Sequence, residues 1–277
     1  AGASFRVLAQ GWHSTAVEVK AAADAMLVCK FPRSTEAEAA LRREAGMLAA
    51  LENRVTLPVP RMTMHETGWR APAVFSRHAK IAGNHLLAPD YQRLPEAARA
   101  RLAVDLARFH AELHAVNTNR MTEVGAAPVE AWQTPAAVRA RALPTLPPEL
   151  RAWAEETVER YERLPPDPLG DVYGFFDGHG WNMAFDHERG RLNGIYDFAD
   201  SGIGPLHREF VYSSFVSPDL TARLISAYEE LTGKSLERAR IAVLTGMHRL
   251  SELAALAHDP VHRAEMVRHV AAWAAAG

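Results

Sequence analysis

Three polar residues in the second half of the sequence have types and spacing suited to chemistry on phosphate groups. Asp177 and Asn182 are five positions apart, and Asp197 follows twenty positions after Asp177. Phosphoryl transfer uses one carboxylate to take or orient a hydroxyl proton, and hard oxygen ligands to hold Mg²⁺ on the phosphates. Two carboxylates and one amide could supply the proton-handling carboxylate and the metal-binding oxygens. These three residues are therefore candidates for a phosphoryl-transfer site.

Short apolar runs between these residues predict the elements that would position them. Residues 183–185 and 192–196 are typical of two strands joined by a turn at Gly190, with the polar groups at the strand ends. An ordinary β-hairpin whose loop begins with Asp-Gly and closes through an Asx-type turn fits equally. The pattern D-x-x-x-x-N is short and occurs by chance, so spacing alone leaves both interpretations open.

Composition excludes several classes of protein. Of the 277 residues, 48% are hydrophobic and 23% are charged, which is typical of a globular chain with a substantial core. The net charge of −2 argues against a nucleic-acid binder. A single cysteine, Cys29, excludes an internal disulfide. No signal-peptide pattern opens the sequence and no apolar run reaches the ~18 residues of a membrane span, so we expect a soluble, cytoplasmic protein without membrane partners.

Charge is distributed unevenly along the chain. Residues 1–85 carry a net charge of +4, whereas residues 86–277 carry −6. A basic first part suits the phosphates of a nucleotide, and an acidic second part suits a cationic substrate. Uneven solvated surface explains the asymmetry equally well.

The first part of the chain predicts a small β-sheet with one helix. Lys30 lies in an apolar strand, where an unpaired ammonium is costly, and Glu44 on the helix is its candidate partner. A lysine whose stem packs while its head reaches water is the alternative. Strands are expected over residues 5–8, 16–20, 26–31, 61–65 and 73–76, and the helix over residues 35–51, after an N-cap at Ser34 or Thr35.

The turn over residues 10–15 could contact phosphates. Gly11, Ser14 and Thr15 offer backbone N–H groups and hydroxyls to phosphate oxygens, although an ordinary hairpin tip carries the same residues.

Helices dominate the rest of the chain. Residues 77–83 are interpreted as a connecting segment. His110 and His114 are four apart, but the glutamate between them is misplaced for the zinc-protease pattern, so packing or surface histidines are favoured over a zinc site. His179 and Trp181, inside the loop between Asp177 and Asn182, either fill that loop or contact substrate. Helices are predicted over residues 94–116, 134–143, 150–164, 220–232, 236–256 and 261–276.

The order of these elements resembles the aminoglycoside phosphotransferase and choline-kinase-like family, small-molecule relatives of protein kinases. The resemblance covers about residues 5–260. Its most specific part is Asp177 with Asn182, followed by Asp-Phe-Ala-Asp-Ser-Gly-Ile-Gly at residues 197–204, which is similar to the family segment D-[WF]-x-x-A-x-x-G. The resemblance implies an α+β, bilobal protein-kinase-like fold, with a small antiparallel-sheet N-lobe over residues 1–79 and a larger, mainly helical C-lobe over residues 80–277.

The same resemblance implies roles for individual residues. Asp177 would be the catalytic base or orient the hydroxyl, and Asn182 and Asp197 would bind Mg²⁺. Lys30, held by Glu44, would contact the α- and β-phosphates of ATP. The remaining nucleotide contacts would be Gly11, Ser14 and Thr15 over the phosphates, and the backbone of Arg77, His78 and Ala79 against the adenine.

Two departures from the family pattern affect the functional prediction. Phe175 and Phe176 stand where the family has His-Gly, and Pro205-Leu206 replaces Asp-Pro, although Glu209 falls where the family has a later aspartate. Neither change removes a metal ligand.

We therefore expect an ATP-dependent phosphotransferase acting on a hydroxyl of a small, amine-bearing molecule, such as an aminoglycoside or an amino alcohol. The alternative is a non-catalytic kinase-like nucleotide-binding module.

A protein kinase is not expected. No A-P-E motif follows Asp197, and Asp-Phe-Ala lacks the glycine of the D-F-G motif. The identity of the acceptor, the choice between ATP and GTP, and the oligomeric state have no signal in the sequence.

Overall fold

The computed structural model describes residues 4–11, 14–21, 25–68 and 73–275, and its N-terminal part is a β-sheet. Within those residues, this sheet has the strands β1 (Ser4–Gln10), β2 (Ser14–Lys20), β3 (Met26–Pro32), β4 (Thr63–Glu66) and β5 (Val74–Ala79). Their order is β1-β2-β3-β5-β4, and each strand is antiparallel to its neighbours. The predicted antiparallel sheet is confirmed, and Lys30 lies in its central strand.

Helix α1 (Thr35–Leu51) follows β3 and contacts β3, β4 and β5. Ser34 is its N-cap, because Oγ of Ser34 accepts a hydrogen bond from the backbone N–H of Ala37 at 3.1 Å. The buried face of the helix contains one charged residue, Glu44, among Ala37, Leu41, Met47, Leu48 and Leu51. A buried carboxylate on this face requires a partner, and the contact with β3 brings that partner within reach.

The chain from residue 88 onward is mainly helical. Several of its α-helices begin with a proline (Pro135, Pro148, Pro218 and Pro260), at the first helical position, where a missing N–H costs no hydrogen bond. A 3₁₀ helix, Leu206–Phe215, crosses the interior of this part. The α-helices are α2 (Ala88–Arg93), α3 (Glu96–His114), α4 (Thr118–Glu123), α5 (Pro135–Arg141), α6 (Pro148–Glu162), α7 (Pro218–Thr232), α8 (Arg238–Leu256) and α9 (Pro260–Ala274).

Two short antiparallel ribbons lie within the helical part. Strand β6 (Asp171–Gly174) pairs with β9 (Gly202–Pro205), and β7 (Met183–Asp186) pairs with β8 (Arg191–Ile195). The predicted hairpin is confirmed as β7–β8. The loop between β6 and β7 carries Asp177 and Asn182, and the loop between β8 and β9 carries Asp197, so the ribbons bring distant loops to one place.

The assignment of residues 77–83 to a connecting segment is wrong at its start. Arg77, His78 and Ala79 belong to β5, where Arg77 pairs with Cys29 on β3 and with Thr63 on β4. Burial alternates along β5, with Arg77 and Ala79 exposed and His78 buried. That alternation is the period of a strand, but polar side chains obscure it in the sequence.

One apolar core connects α1 with the helical part. Met47 and Leu51 from α1 cluster with Phe109 on α3, and with Phe175 and Phe198 from the two loops. A second apolar cluster packs α5 and α6 against α8 and α9. Among the helices that the structure describes, none combines the length and apolar character needed to cross a bilayer.

Candidate active site

The ammonium group of Lys30 lies between two carboxylates from distant parts of the chain. Its Nζ donates to Oε1 of Glu44 at 2.7 Å and to Oδ1 of Asp197 at 2.9 Å. The Glu44 side chain is buried, whereas that of Asp197 is about half exposed. The Lys30–Glu44 pair predicted from the sequence is therefore present, and Asp197 joins it.

The two carboxylates keep Lys30 charged. Burial alone would lower the pKa of Lys30, because desolvation disfavours the ammonium form. The charges of Glu44 and Asp197 outweigh burial, and the pKa of Lys30 is raised above its ordinary value. The site thus holds a permanent cation beside a half-exposed carboxylate, an arrangement suited to an anionic ligand accompanied by a cation.

Glu44 also positions the segment that carries Asp197. Its Oε1 accepts a hydrogen bond from the backbone N–H of Phe198 at 3.1 Å. Asp197 has a φ of 68°, in the left-handed region that costs a non-glycine residue about 1–2 kcal/mol. The buried ring of Phe198 packs against Phe175 and Phe109, with centroid distances of 4.8 and 6.2 Å. Packing and the Glu44 bond together hold Asp197 in a conformation that its own backbone does not favour.

Asp177 and Asn182 contact each other within the loop between β6 and β7. Nδ2 of Asn182 donates to Oδ2 of Asp177 at 2.6 Å and to the Asp177 carbonyl at 3.0 Å. Nε2 of His179 lies 3.0 Å from Oδ1 of the same carboxylate. Burial disfavours the charged imidazole, but Asp177 outweighs it and the pKa of His179 is raised. Both oxygens of Asp177 are thus oriented by neighbours in its own loop.

The β7–β8 ribbon places Asn182 next to the segment that carries Asp197. Met183 pairs with Ile195, and the backbone N–H of Tyr196 donates to the Asn182 carbonyl at 3.0 Å. Asn182 and Asp197 therefore lie at the same end of the ribbon, as two potential ligands of one cation.

A buried carboxylate holds the chain immediately before Asp177. Oε2 of Glu209 accepts from the N–H of Phe175, and Oε1 accepts from the N–H of Phe176, each at 2.9 Å. Glu209 is fully buried. Burial would raise the pKa of Glu209, but His110, His114 and the backbone donors outweigh burial and lower it. An ionised Glu209 therefore fixes the backbone from which Asp177 projects.

The Phe175-Phe176 departure is accommodated by this backbone. Phe176 has a φ of 53°, a conformation that glycine adopts without strain. Its ring lies beside Gly174 and Gly204, where an added Cβ would come within 2.7 and 3.1 Å of it. Phe175 is fully buried against the aromatic core. The two glycines make room for Phe176, so the aromatic pair is built into the loop.

His110 and His114 belong to the same buried region. Their Nε2 atoms lie 3.9 and 3.5 Å from the Glu209 carboxylate. Burial lowers the pKa of His110 to about 4, against the opposing charge of Glu209. In the part of the chain that the structure describes, no group of three or more His, Cys, Asp or Glu side chains is arranged to hold a metal ion. These histidines pack under the loop, in line with the predicted packing role. The contacts of Glu209 with the backbone were not predicted, and the one signal for them was that Glu209 falls where the family has a later aspartate.

The residues predicted to contact a nucleotide lie in the sheet. Gly11 precedes β2, which contains Ser14 and Thr15, and the N–H of Gly11 donates to the Ser14 carbonyl at 3.0 Å. Residues 12 and 13 of the predicted turn lie outside the described residues. Ala79 ends β5, and the N–H of residue 80 still donates to Met26 on β3 at 2.8 Å. Contact with a nucleotide stays a prediction for each of these residues, which are Gly11, Ser14, Thr15, Arg77, His78 and Ala79.

Two cavities meet at Asp177. The larger has a volume of about 670 Å³, extends from α1 to α8, and is lined by Trp132, Phe176 and Asp200 among others. The smaller, of about 370 Å³, extends from Asp177 to α9. Both are lined by Asp177, Tyr212, His248 and Glu252.

Glu252 contributes a titratable carboxyl to both cavities. Burial raises the pKa of Glu252 to about 7, against the opposing effects of Arg249 and His179. A small molecule in either cavity could present a hydroxyl to Asp177 and face this carboxyl.

The fold and site define a class of protein. A lysine–glutamate pair between a small sheet and its helix, with an Asp-x₄-Asn loop and a second aspartate beside it, is the arrangement of protein-kinase-like phosphotransferases. The model of the phosphotransferase enzyme family matches residues 4–244. The chain therefore belongs to the phosphotransferase enzyme family, and the predicted small-molecule kinase class is confirmed.

Solved structures share the fold over nearly the whole chain. A GDP complex of aminoglycoside 2'-phosphotransferase-IIIa has a TM-score of 0.83 and 21% identity, covering 98% of this chain and 92% of that one. A GDP and kanamycin complex of an APH(2")-type enzyme has a TM-score of 0.82 and 20% identity, covering 99% and 94%. A macrolide 2'-phosphotransferase of type I has a TM-score of 0.67 and 18% identity, covering 96% and 90%. The predicted kinase-like fold is confirmed. No curated protein matches the sequence significantly.

Proposed function

We propose that the protein transfers the γ-phosphoryl group of a nucleoside triphosphate, expected to be ATP, to a hydroxyl of a small, amine-bearing molecule. The observation that carries this proposal is the contact of Lys30 with both Glu44 and Asp197. In kinase-like enzymes such a lysine binds the nucleotide phosphates and the aspartate binds the metal. Asp177, held by Asn182, is the proposed base or hydroxyl-orienting group.

Asn182 and Asp197 are the proposed Mg²⁺ ligands. Because Nδ2 of Asn182 is bonded to Asp177, the amide oxygen is the group left for a cation. Mg²⁺ usually keeps several waters and binds through one or two carboxylates plus substrate phosphates, so this amide and carboxylate fit it. When bound with the nucleotide, Mg²⁺ would neutralise charge on the phosphates.

The sheet is the proposed nucleotide-binding lobe. Residues 1–79 would form the N-lobe and residues 80–277 the C-lobe, with the boundary at the end of β5. Gly11, Ser14 and Thr15 would cover the phosphates. Ala79, at the end of β5, pairs with β3 alone, so its backbone is better placed for an adenine than that of Arg77, which pairs on both sides. Similar structures contain GDP or ATP, so both nucleotide bases need testing.

Carboxylates around Asp177 support an amine-bearing acceptor. Glu252 and Glu265 line the smaller cavity, whose described lining contains no Lys or Arg. The larger cavity is mixed, because Arg43 and Arg208 line it together with Glu130, Asp200 and Glu252. The acidic wall of the smaller cavity concentrates cationic ligands and disfavours anionic ones. Structurally similar enzymes bound to kanamycin or streptomycin hold amine-bearing ring alcohols, which are suitable first candidates.

Acceptor-dependent nucleotide turnover tests this function. ADP or GDP release would be measured with Mg²⁺ and a panel of kanamycin, streptomycin, choline and ethanolamine. We expect release that depends on an acceptor and is lost in Asp177→Asn. Binding of MgATP by the wild type, without turnover on any acceptor, would instead favour the non-catalytic module.

A further inference from the structure

Trp181 lies in the loop between Asp177 and Asn182, and its side chain is exposed. It is 55% exposed, whereas Gly180 and Asn182 on either side of it are buried. The other tryptophans that the structure describes are partly buried. An indole has a large apolar surface that is normally buried in the core or against a ligand. Packing within the chain therefore does not account for the placement of Trp181.

The loop holds Trp181 in a fixed position. Its carbonyl accepts a hydrogen bond from the Tyr196 hydroxyl at 2.9 Å and lies 2.7 Å from Nδ1 of His85. The His85 ring stands edge-on to the indole, with centroids 4.8 Å apart. Gly180 is packed so closely that an added Cβ would lie 1.8 Å from the Leu86 carbonyl. A preformed aromatic surface binds a ligand with little loss of conformational entropy.

Trp181 lines the smaller cavity, which has both apolar and polar walls. Leu87 and Met266 are apolar members of this lining, and Glu252 and Glu265 are acidic ones. Asp177 lines the same cavity, so a molecule in it reaches the proposed reacting group directly.

Several polar atoms around this cavity make no hydrogen bond within the chain. Among the described residues, these buried atoms are Oε2 of Glu252 and Nδ1 of His179, His248 and His269. Oε2 of Glu252 lies 3.7 Å from Nδ1 of His248, beyond hydrogen-bond distance, and all four residues line the smaller cavity. Buried polar groups are normally paired, so this concentration points to a polar ligand that pairs them.

We propose that Trp181 is a specificity-determining residue that stacks against a ring of the acceptor. This inference rests on the proposed function. The acceptor class is a ring-shaped alcohol with amine groups, whose hydroxyl lies at Asp177 while the apolar face of a neighbouring ring covers the indole. Its amines face Glu252 and Glu265. A small linear amino alcohol would occupy the space at Asp177 without reaching Trp181.

Substitution of Trp181 tests the inference by comparing two acceptors. Trp181→Ala should raise KM for kanamycin about three- to tenfold, in line with the energy of an aromatic stacking contact. KM for ATP, and KM for ethanolamine, should stay at the wild-type values. Trp181→Phe should retain most of the kanamycin affinity. Leu231→Ala, which removes another side chain of similar exposure on α7, is the matched control and should change none of these constants.

Intrinsic fluorescence gives a second readout that does not depend on turnover. Kanamycin should change the emission of the wild type, and Trp181→Phe should lose most of that change while thermal unfolding confirms that the variant is folded. Equal kanamycin KM values in the wild type and Trp181→Ala, with transfer intact, would overturn the inference and leave the proposed function standing. Binding that depends on Trp181 without transfer to any acceptor would support the inference as a binding site and contradict the catalytic function. No transfer and no fluorescence change with any acceptor would overturn both.

Discussion

Replacing Glu209 with glutamine tests whether a buried residue outside the reacting groups sets the position of Asp177. Each oxygen of the Glu209 carboxylate accepts one backbone N–H, from Phe175 and from Phe176, both at 2.9 Å. In glutamine, one oxygen becomes an NH₂ group, which donates and cannot accept. Whichever way the amide turns, one backbone N–H loses its acceptor and faces another donor.

The expected cost follows from these two bonds. A hydrogen bond to a charged group contributes about 1.5–3 kcal/mol, and an unsatisfied buried N–H costs about 1–3 kcal/mol. Glu209→Gln should therefore lower the free energy of unfolding by about 2–4 kcal/mol. A shift of the backbone before Asp177 by up to about 1 Å should also lower kcat by about 10- to 100-fold. Glu209→Asp keeps both oxygens on a shorter side chain, so its loss of stability should be smaller.

Denaturant unfolding and steady-state turnover at pH 7 check the two effects separately. Glu230→Gln, on the exposed face of α7, is the matched control and should leave both quantities unchanged. Wild-type stability and wild-type kcat in Glu209→Gln would refute the reasoning. A loss of stability with unchanged kcat would show that Glu209 supports the core but does not position Asp177.

Three further variants probe the charged groups of the site. Lys30→Met leaves the Glu44 carboxylate buried without its cation, so denaturant unfolding should show a free energy of unfolding lower by about 3–5 kcal/mol. An unchanged free energy of unfolding would contradict the pairing of Lys30 with Glu44. Asp197→Ala should abolish Mg²⁺-dependent turnover in a Mg²⁺ titration, and activity retained at low Mg²⁺ would count against the ligand assignment. Because the pKa of Glu252 is about 7, its carboxyl gains negative charge as pH rises from 6 to 8. KM for an amine-bearing acceptor should fall over that range, and Glu252→Gln should reduce the dependence, leaving the part due to His179, whose pKa is also raised.

Local patterns in the sequence predicted the parts of the site that lie on regular elements. The apolar strand around Lys30 and the helical spacing around Glu44 predicted the two elements, and the cost of a buried ammonium made Glu44 a candidate partner. A lysine whose head reaches water remained the alternative, and the family resemblance decided for the pair. The apolar runs flanking Gly190 predicted the β7–β8 ribbon from the period of a strand.

The remaining features depend on contacts between distant residues. Strands β6 and β9 are four residues each and separated by 27 intervening residues, so neither has a period long enough to recognise. The contact of Glu209 with the backbone before Asp177 joins positions more than thirty residues apart. The left-handed φ of Phe176 has no signal in the residue type, because glycine is the usual occupant of that conformation.

Formation of a phosphorylated acceptor is the most direct test of the account. ATP labelled at the γ-phosphate, Mg²⁺ and each amine-bearing alcohol would be incubated with the wild type and with Asp177→Ala, and the products separated and identified. The wild type should place the label on an acceptor hydroxyl, and Asp177→Ala should do so about 10²–10⁴-fold more slowly. Label that never leaves the nucleotide, or equal rates in the two proteins, would contradict the assignment of Lys30, Asp177 and Asp197 to phosphoryl transfer.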